Sequence, residues 1–367
     1  MKVEEIDRNF IIKTEITEPD VVWFDAKEAP FTVHGVIYDE TEKRYVRMPQ
    51  KIADTVSPGV AQTNKWTAGG RVRFKTDSSY IAIKVVTCQP GFFSQMSRTG
   101  SSGLDLYRKY EGRDAYFITY MPPEKMEDGF SGGNKTYGEL TDYTLYFPIY
   151  NGIQELYIGL KKGSVLEKAD GYKNQRPIVF YGSSTTNGCS ASRPANTFPS
   201  IISRHLDIDF INLGFAGAAM GEKKLAEYIS GLNMKLFVME YDSNAPSEKW
   251  LEDTHYPFFK TIRDANPDLP IIMLSHEAAL HGVYYETKAP KEWGTFAGRR
   301  DIIKNTYLRA KNDRDNNVYF IDGSDIYKGE DWDDVTAEGC HANDFGYMRF
   351  ARYLEKIIKP ILSHELK

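Results

Sequence analysis

The sequence predicts two architectures in series: an all-β sandwich of jelly-roll type over residues 1–174, then a three-layer α/β/α domain with a five-stranded parallel sheet over residues 175–367. Up to about residue 170, short stretches alternating apolar with polar residues are separated by turn clusters, with little helix signal. Beyond about residue 175, short apolar runs alternate with helix-periodic segments. Right-handed crossovers gather such units into a parallel sheet covered on both faces.

In the first region the strands read as Phe31–Tyr38, Arg71–Lys75, Tyr80–Val86, Ala115–Met121, Tyr143–Phe147 and Leu156–Leu160. Alternation is clearest in Val72 and Phe74, and in Ile81, Ile83 and Val85. Ala68-Gly-Gly70, Thr76-Asp-Ser-Ser79 and Ser131-Gly-Gly-Asn134 read as turns between them. Ser94–Tyr107, rich in Ser and Gly, reads as a mobile connection.

In the second region the strands are Ile178–Tyr181, Phe210–Leu213, Leu236–Tyr241, Ile271–Leu274 and Val318–Ile321. Phe198, Ile201, Ile202 and Leu206 mark one helix face, with Pro199 in a first turn that tolerates it. Further helices are expected over Lys223–Ser230, Tyr256–Ala265 and Gly298–Asp313. A last one carries Tyr347, Phe350, Ala351, Leu354, Ile357 and Ile358 on one face.

Composition narrows the function classes. A net charge of -5 leaves no broad basic footprint for nucleic acid or an anionic membrane. No apolar run approaches the roughly eighteen residues that span a bilayer. The N-terminus lacks the apolar core of a secretory signal, so a cytoplasmic protein is expected. Three cysteines at wide spacing (Cys88, Cys189 and Cys340) do not make a disulfide framework, and no zinc-ligand spacing occurs. Neither a metal nor a cofactor is expected.

The chemistry gathers at the strand ends, where ligands bind in parallel α/β sheets. The first strand ends at Gly182-Ser-Ser184, which alone is an ordinary turn. The second runs into Asn212–Gly217, small enough for backbone N–H groups to approach a ligand. The third ends at Glu240-Tyr-Asp-Ser-Asn244, which offers a side-chain amide. Glu338-Gly-Cys-His341 precedes the last helix. A serine hydroxyl needs a base, and an imidazole needs an acceptor on its other nitrogen. A tetrahedral oxyanion needs preorganised donors.

In this order, Ser184, Gly217, Asn244 and His341 resemble the four blocks of the SGNH (GDSL-type) hydrolases. The resemblance implies an SGNH-like fold with Ser184 as nucleophile and His341 as general base and acid. It implies an oxyanion hole of the Ser184 and Gly217 N–H groups and the Asn244 amide. Ser184 rather than Ser183 takes the nucleophile's place, two residues after glycine. The family's Asp-x-x-His is replaced by Glu338-x-x-His341, leaving Glu338, a backbone carbonyl, Asp333 or Asp334 to orient the imidazole. Gly103-Leu-Asp-Leu-Tyr107 is similar to the Gly-x-Asp-Leu-Tyr signature of the β-sandwich that precedes some of these hydrolases, and is a candidate pocket wall.

His276 and Glu277 follow the fourth strand at the same sheet edge and are candidate substrate-binding residues, as is Trp293. Trp293 lies in a long loop running on to about Phe296 that also holds Tyr284 and Tyr285. His205, on a helix, and His255, opening one, read as surface or packing residues. Cys189 and Cys340 read as packing residues near the site.

The resemblance implies hydrolysis of small acyl esters, acetyl foremost, on a small-molecule or oligosaccharide substrate. Acyl transfer by the same serine and non-catalytic carbohydrate binding are the alternatives. A neutral His341 as base makes activity fall below about pH 6 to 7.

Overall fold

The computed structural model describes residues 3–8, 11–12, 14–88, 93–277 and 290–363. Its N-terminal region is built from antiparallel strands. β1 (Val21–Asp25), β2 (Thr32–His34), β3 (Ile37–Asp39), β4 (Arg44–Val46), β5 (Arg71–Thr76) and β6 (Tyr80–Thr87) come first. β7 (Leu104–Tyr110), β8 (Arg113–Tyr120), β9 (Gly129–Lys135), β10 (Thr141–Tyr146), β11 (Ile153–Lys161) and β12 (Leu166–Glu167) follow. One sheet has the order β1-β11-β6-β9; the other has β12-β5-β10-β7-β8, with β2 also on β5. Val72 and Phe74 from β5 share a core with Ile81, Ile83 and Val85 from β6, so the alternation read from sequence does face inward.

Three expectations are corrected here. Phe31–Tyr38 is not one strand: the chain turns at Gly35, and β3 leaves to pair with β4. Ser131–Asn134 is not a turn but the middle of β9, paired with β6. Its glycines admit aromatic rings, and a Cβ on Gly133 would meet the Tyr80 hydroxyl at 2.0 Å. Within Ser94–Tyr107, Arg98–Ser102 is helical and Leu104 opens β7.

The second region is a parallel sheet. β13 (Asn174–Gly182), β14 (Ile208–Gly214), β15 (Leu236–Glu240), β16 (Ile271–Leu274) and β17 (Val318–Ile321) lie in the order β14-β13-β15-β16-β17. Alternate residues of each strand feed two cores. Ile178, Phe180 and Val238 pack under the helices Phe198–Leu206 and Asp344–Ser363. Val179, Tyr181 and Phe237 pack under Lys223–Ser230, Glu248–Ala265 and Phe296–Asn312. Helices on both faces make the three layers expected.

The helix expected from Tyr256 starts instead at Glu248, where the Ser247 side chain accepts the Trp250 N–H at 3.0 Å. Pro257 lies inside it. Its missing N–H is tolerated because Leu251, His255, Phe258, Phe259 and Ile262 bury one continuous face. His255 therefore does not open the helix. It is buried at its middle with Nδ1 2.9 Å from Thr306 Oγ1, and burial pushes its pKa down to about 3. Among the described residues no helix is long and apolar enough to cross a membrane.

Candidate active site

The strand order reverses at β13, which has the second strand of the series on one side and the third on the other. That reversal opens a crevice at the carboxyl ends of the strands. Ser184 stands there, half-buried, as the first residue of the short helix Ser184–Asn187. Ser183 caps that helix by accepting the Thr185 N–H at 3.2 Å.

His341 approaches from the loop before the last helix. Its Nε2 lies 2.9 Å from Ser184 Oγ, across 157 residues of chain. Glu338 faces its Nδ1 and also accepts the His341 backbone N–H at 3.1 Å. Of the acceptors left open by the sequence, Glu338 is thus the one in contact. The loop is held by a Thr336–Ala342 bridge and by the Asn343 N–H on Val335 O at 3.0 Å. The following helix is pinned to the serine segment: Tyr347 OH donates to Cys189 O at 2.7 Å, and Asp344 accepts the Ser192 N–H at 2.8 Å.

Burial works against the charged imidazole, but its hydrogen bonds to Cys189, Cys340 and Glu338 outweigh it and raise His341 above its ordinary value. The Glu338 carboxyl, despite partial burial, is lowered by the same ring. Glu338, Cys340 and His341 hold their ligand-type atoms within 4.8 Å of one another. A cation there would compete with the Glu338–His341 contact.

The Phe215 N–H donates to Gly182 O at 2.9 Å, which sets the β14 turn beside the serine. Gly217 sits exposed in that turn at φ +68°, a conformation that favours glycine, and a Cβ there would meet open space. The Asn244 side chain donates one N–H to Phe215 O at 3.2 Å, leaving its second for another acceptor. Among the described residues no protein acceptor takes the backbone N–H of Ser184 or Gly217.

The pocket candidates separate. His276 is half-buried, its ring 5.0 Å from that of Phe296 and its N–H on Asp242 Oδ2 at 3.0 Å. Glu277 is buried and accepts the hydroxyl of Thr185, the residue after Ser184, at 2.9 Å. Trp293 is also buried; the Arg299 guanidinium lies 4.0 Å over its ring and donates to Ala245 O at 2.8 Å, so it supports the Asn244 turn from behind. Tyr284 and Tyr285 lie outside the described residues. His205 pairs with Glu355 on the surface of the helix layer.

Sequence reasoning missed two carboxyls. Glu240 ends an otherwise apolar buried strand, and that was its only signal. Its Oε2 accepts the Ser183 N–H at 3.2 Å, the Ser183 hydroxyl at 2.9 Å and the Thr186 hydroxyl at 2.8 Å, locking the serine turn. Burial, with Glu277 and Asp242 nearby, pushes its pKa well above the ordinary carboxyl value. The other is Asp105, on β7 and fully buried rather than lining a pocket. It accepts the Ala195 N–H at 2.9 Å and Arg193 Nη1 at 3.2 Å, while Arg193 also donates to Tyr107 OH at 2.8 Å. The Gly103–Tyr107 signature is therefore a clamp between the two regions.

Comparison with known proteins places the chain by family and fold. Residues 175–359 match the model of the GDSL-like Lipase/Acylhydrolase family, and residues 21–166 match that of the N-terminus of Esterase_SGNH_hydro-type proteins. No curated protein matches the chain. Among solved structures, one described as a GDSL-like lipase from Bacteroides ovatus is 26% identical with a TM-score of 0.82, over 94% of this chain and 98% of that one. A salicylyl-acyltransferase from a tetracycline biosynthetic pathway is 19% identical with a TM-score of 0.79, over 95% and 100%. An acetyl xylan esterase from the rumen bacterium Butyrivibrio proteoclasticus is 12% identical with a TM-score of 0.56, over 94% and 99%; these last two share the fold. The chain belongs to the GDSL-like lipase/acylhydrolase family.

Proposed function

We propose that the protein is a serine esterase that hydrolyses small acyl esters, acetyl groups on carbohydrates foremost, through an acyl-enzyme on Ser184. The observation that carries this is the 2.9 Å approach of Ser184 Oγ to His341 Nε2, with Glu338 on the opposite ring nitrogen. In the first half-reaction Oγ bonds to the ester carbon as its proton passes to Nε2, and that proton then leaves with the alcohol. Water, deprotonated by the same nitrogen, attacks the acyl-enzyme and releases the acid. The Ser184 and Gly217 N–H groups and the Asn244 amide receive the negative oxygen of each tetrahedral intermediate.

The acetyl and carbohydrate parts of the reading draw support from the acetyl xylan esterase that shares the fold. p-Nitrophenyl acetate and acetylated xylo-oligosaccharides, given to wild type and Ser184→Ala, test it. Turnover lost in the variant is expected; no turnover, or turnover unaffected by the substitution, contradicts it. A second reading, transfer of the acyl group to an alcohol in place of water, is favoured by the acyltransferase with the same fold. Product analysis with excess acceptor alcohol separates the two.

A further inference from the structure

A cavity of about 250 Å³ lies where the two regions meet, away from Ser184. Asp209, at the start of β14, is part of its wall, so it opens at the end of the parallel sheet opposite the serine. Thr32, His34, Arg73, Lys168, Tyr172 and Gln175 line the rest with Asp170.

The charges in this wall do not close among themselves. Asp209 is taken by Arg71 and by His34 Nδ1 at 3.0 Å. Asp170 receives Lys75 Nζ at 3.2 Å, and neighbouring Asp142 on β10 faces the same amine at 3.9 Å. Arg71, fully buried, donates to Tyr172 OH at 2.7 Å and Phe210 O at 3.2 Å besides its carboxylate. Arg73, two residues on, is only 3% exposed yet donates no hydrogen bond and forms no ion pair with any described residue; its Nε is buried without a partner. The Tyr172 ring lies 4.2 Å from its guanidinium carbon. A ring face attracts the cation but satisfies none of its five N–H donors in their own plane. Asp142 and His34 feel its charge without bonding to it, so the buried Nε stays unsatisfied unless something enters to accept from it.

We propose that this cavity binds a small oxyanion, a carboxylate or a phosphate, on the Arg73 guanidinium. The planar fork of an arginine matches either group with two parallel hydrogen bonds. Lys168, exposed at the mouth, adds a second positive charge, and Thr32 and Gln175 offer neutral hydrogen-bonding groups. Arg73 and Lys168 come from the β region and Gln175 and Asp209 from the parallel sheet, so a bound anion would tie the two together.

Thermal unfolding of the full chain at constant ionic strength tests the site with inorganic phosphate, glucuronate and uncharged glucose. A saturable rise in unfolding temperature with phosphate alone assigns a phosphate ligand; with glucuronate alone, or with both, it assigns a carboxylate or a general oxyanion site. Arg73→Met should abolish the rise, and Lys168→Ala should move its midpoint to about threefold higher concentration or more. No rise with either anion, an equal rise with glucose, or a full rise retained in Arg73→Met overturns the proposal. If Arg73→Met does not fold, an unchanged midpoint in Lys168→Ala, a surface substitution, overturns it instead.

Discussion

In the proposed reaction His341 carries two opposed demands: it takes a proton from Ser184, and Glu338 stabilises the form that already holds one. Cys189 and Cys340, then the Glu338 carboxylate on Nδ1, raise the imidazole, so the acid limb of kcat/KM is expected above the ordinary histidine value of 6.5. Glu338→Gln removes that charge. It should lower kcat by about 10²-fold or more and move the acid limb down; a limb that stays in place in a pH–rate profile would assign the shift elsewhere. Asn244→Ala should cost about 10²–10³ in kcat with little change in KM, as expected for a donor used only once the oxyanion forms. At this scale the Ser184–His341 pair was legible because a serine at a strand end and a histidine before the last helix fall in the order of a known family's blocks. Glu240 was not, because its work is to hold Ser183 and Thr186, a contact between two strand ends that no local pattern encodes.

At the scale of elements, the parallel sheet was legible because buried strands there are short, continuous and apolar. β9 was not, since its glycines make room for Tyr80 from the paired β6 and for Tyr120 from β8 of the other sheet, and mimic a turn in sequence. The helix Glu248–Ala265 was read too short, its first turns carrying only Leu251 as an apolar anchor. β7 was legible as a signature but not as a clamp. Asp105→Ala there would leave the Ala195 N–H and Arg193 without their buried acceptor, and is expected to cost about 2–3 kcal/mol in urea unfolding. A cost near zero would mean that the clamp does not stabilise the fold.

Across the whole molecule, the two regions are joined by buried arginines. Arg47 donates to Gly214 O and to Asn187 Oδ1 at 3.1 Å, and Arg71 reaches Asp209 and Phe210 O. None of this was legible, because arginines on a β-region read as surface charge until a second layer covers them. Asp209→Ala strands Arg71 in the interior and should destabilise by about 3–5 kcal/mol. Burial would raise the Asp209 carboxyl, but Arg71 and His34 together hold it below the ordinary 3.8. The pair's contribution is therefore complete above about pH 4 and is lost as pH falls through the lower, folded-state value. The stability gap between wild type and Asp209→Asn should narrow only in that acid range; a gap that closes near neutral pH would contradict it. The larger claim is that a hydroxyl and an imidazole 157 residues apart act as one reactive pair. Mass spectrometry of the protein quenched in acid during p-nitrophenyl acetate turnover addresses it most directly. One acetyl group on the peptide bearing Ser184, absent in His341→Ala, is the result expected; acetyl on Ser183, or hydrolysis with no covalent adduct, would contradict it.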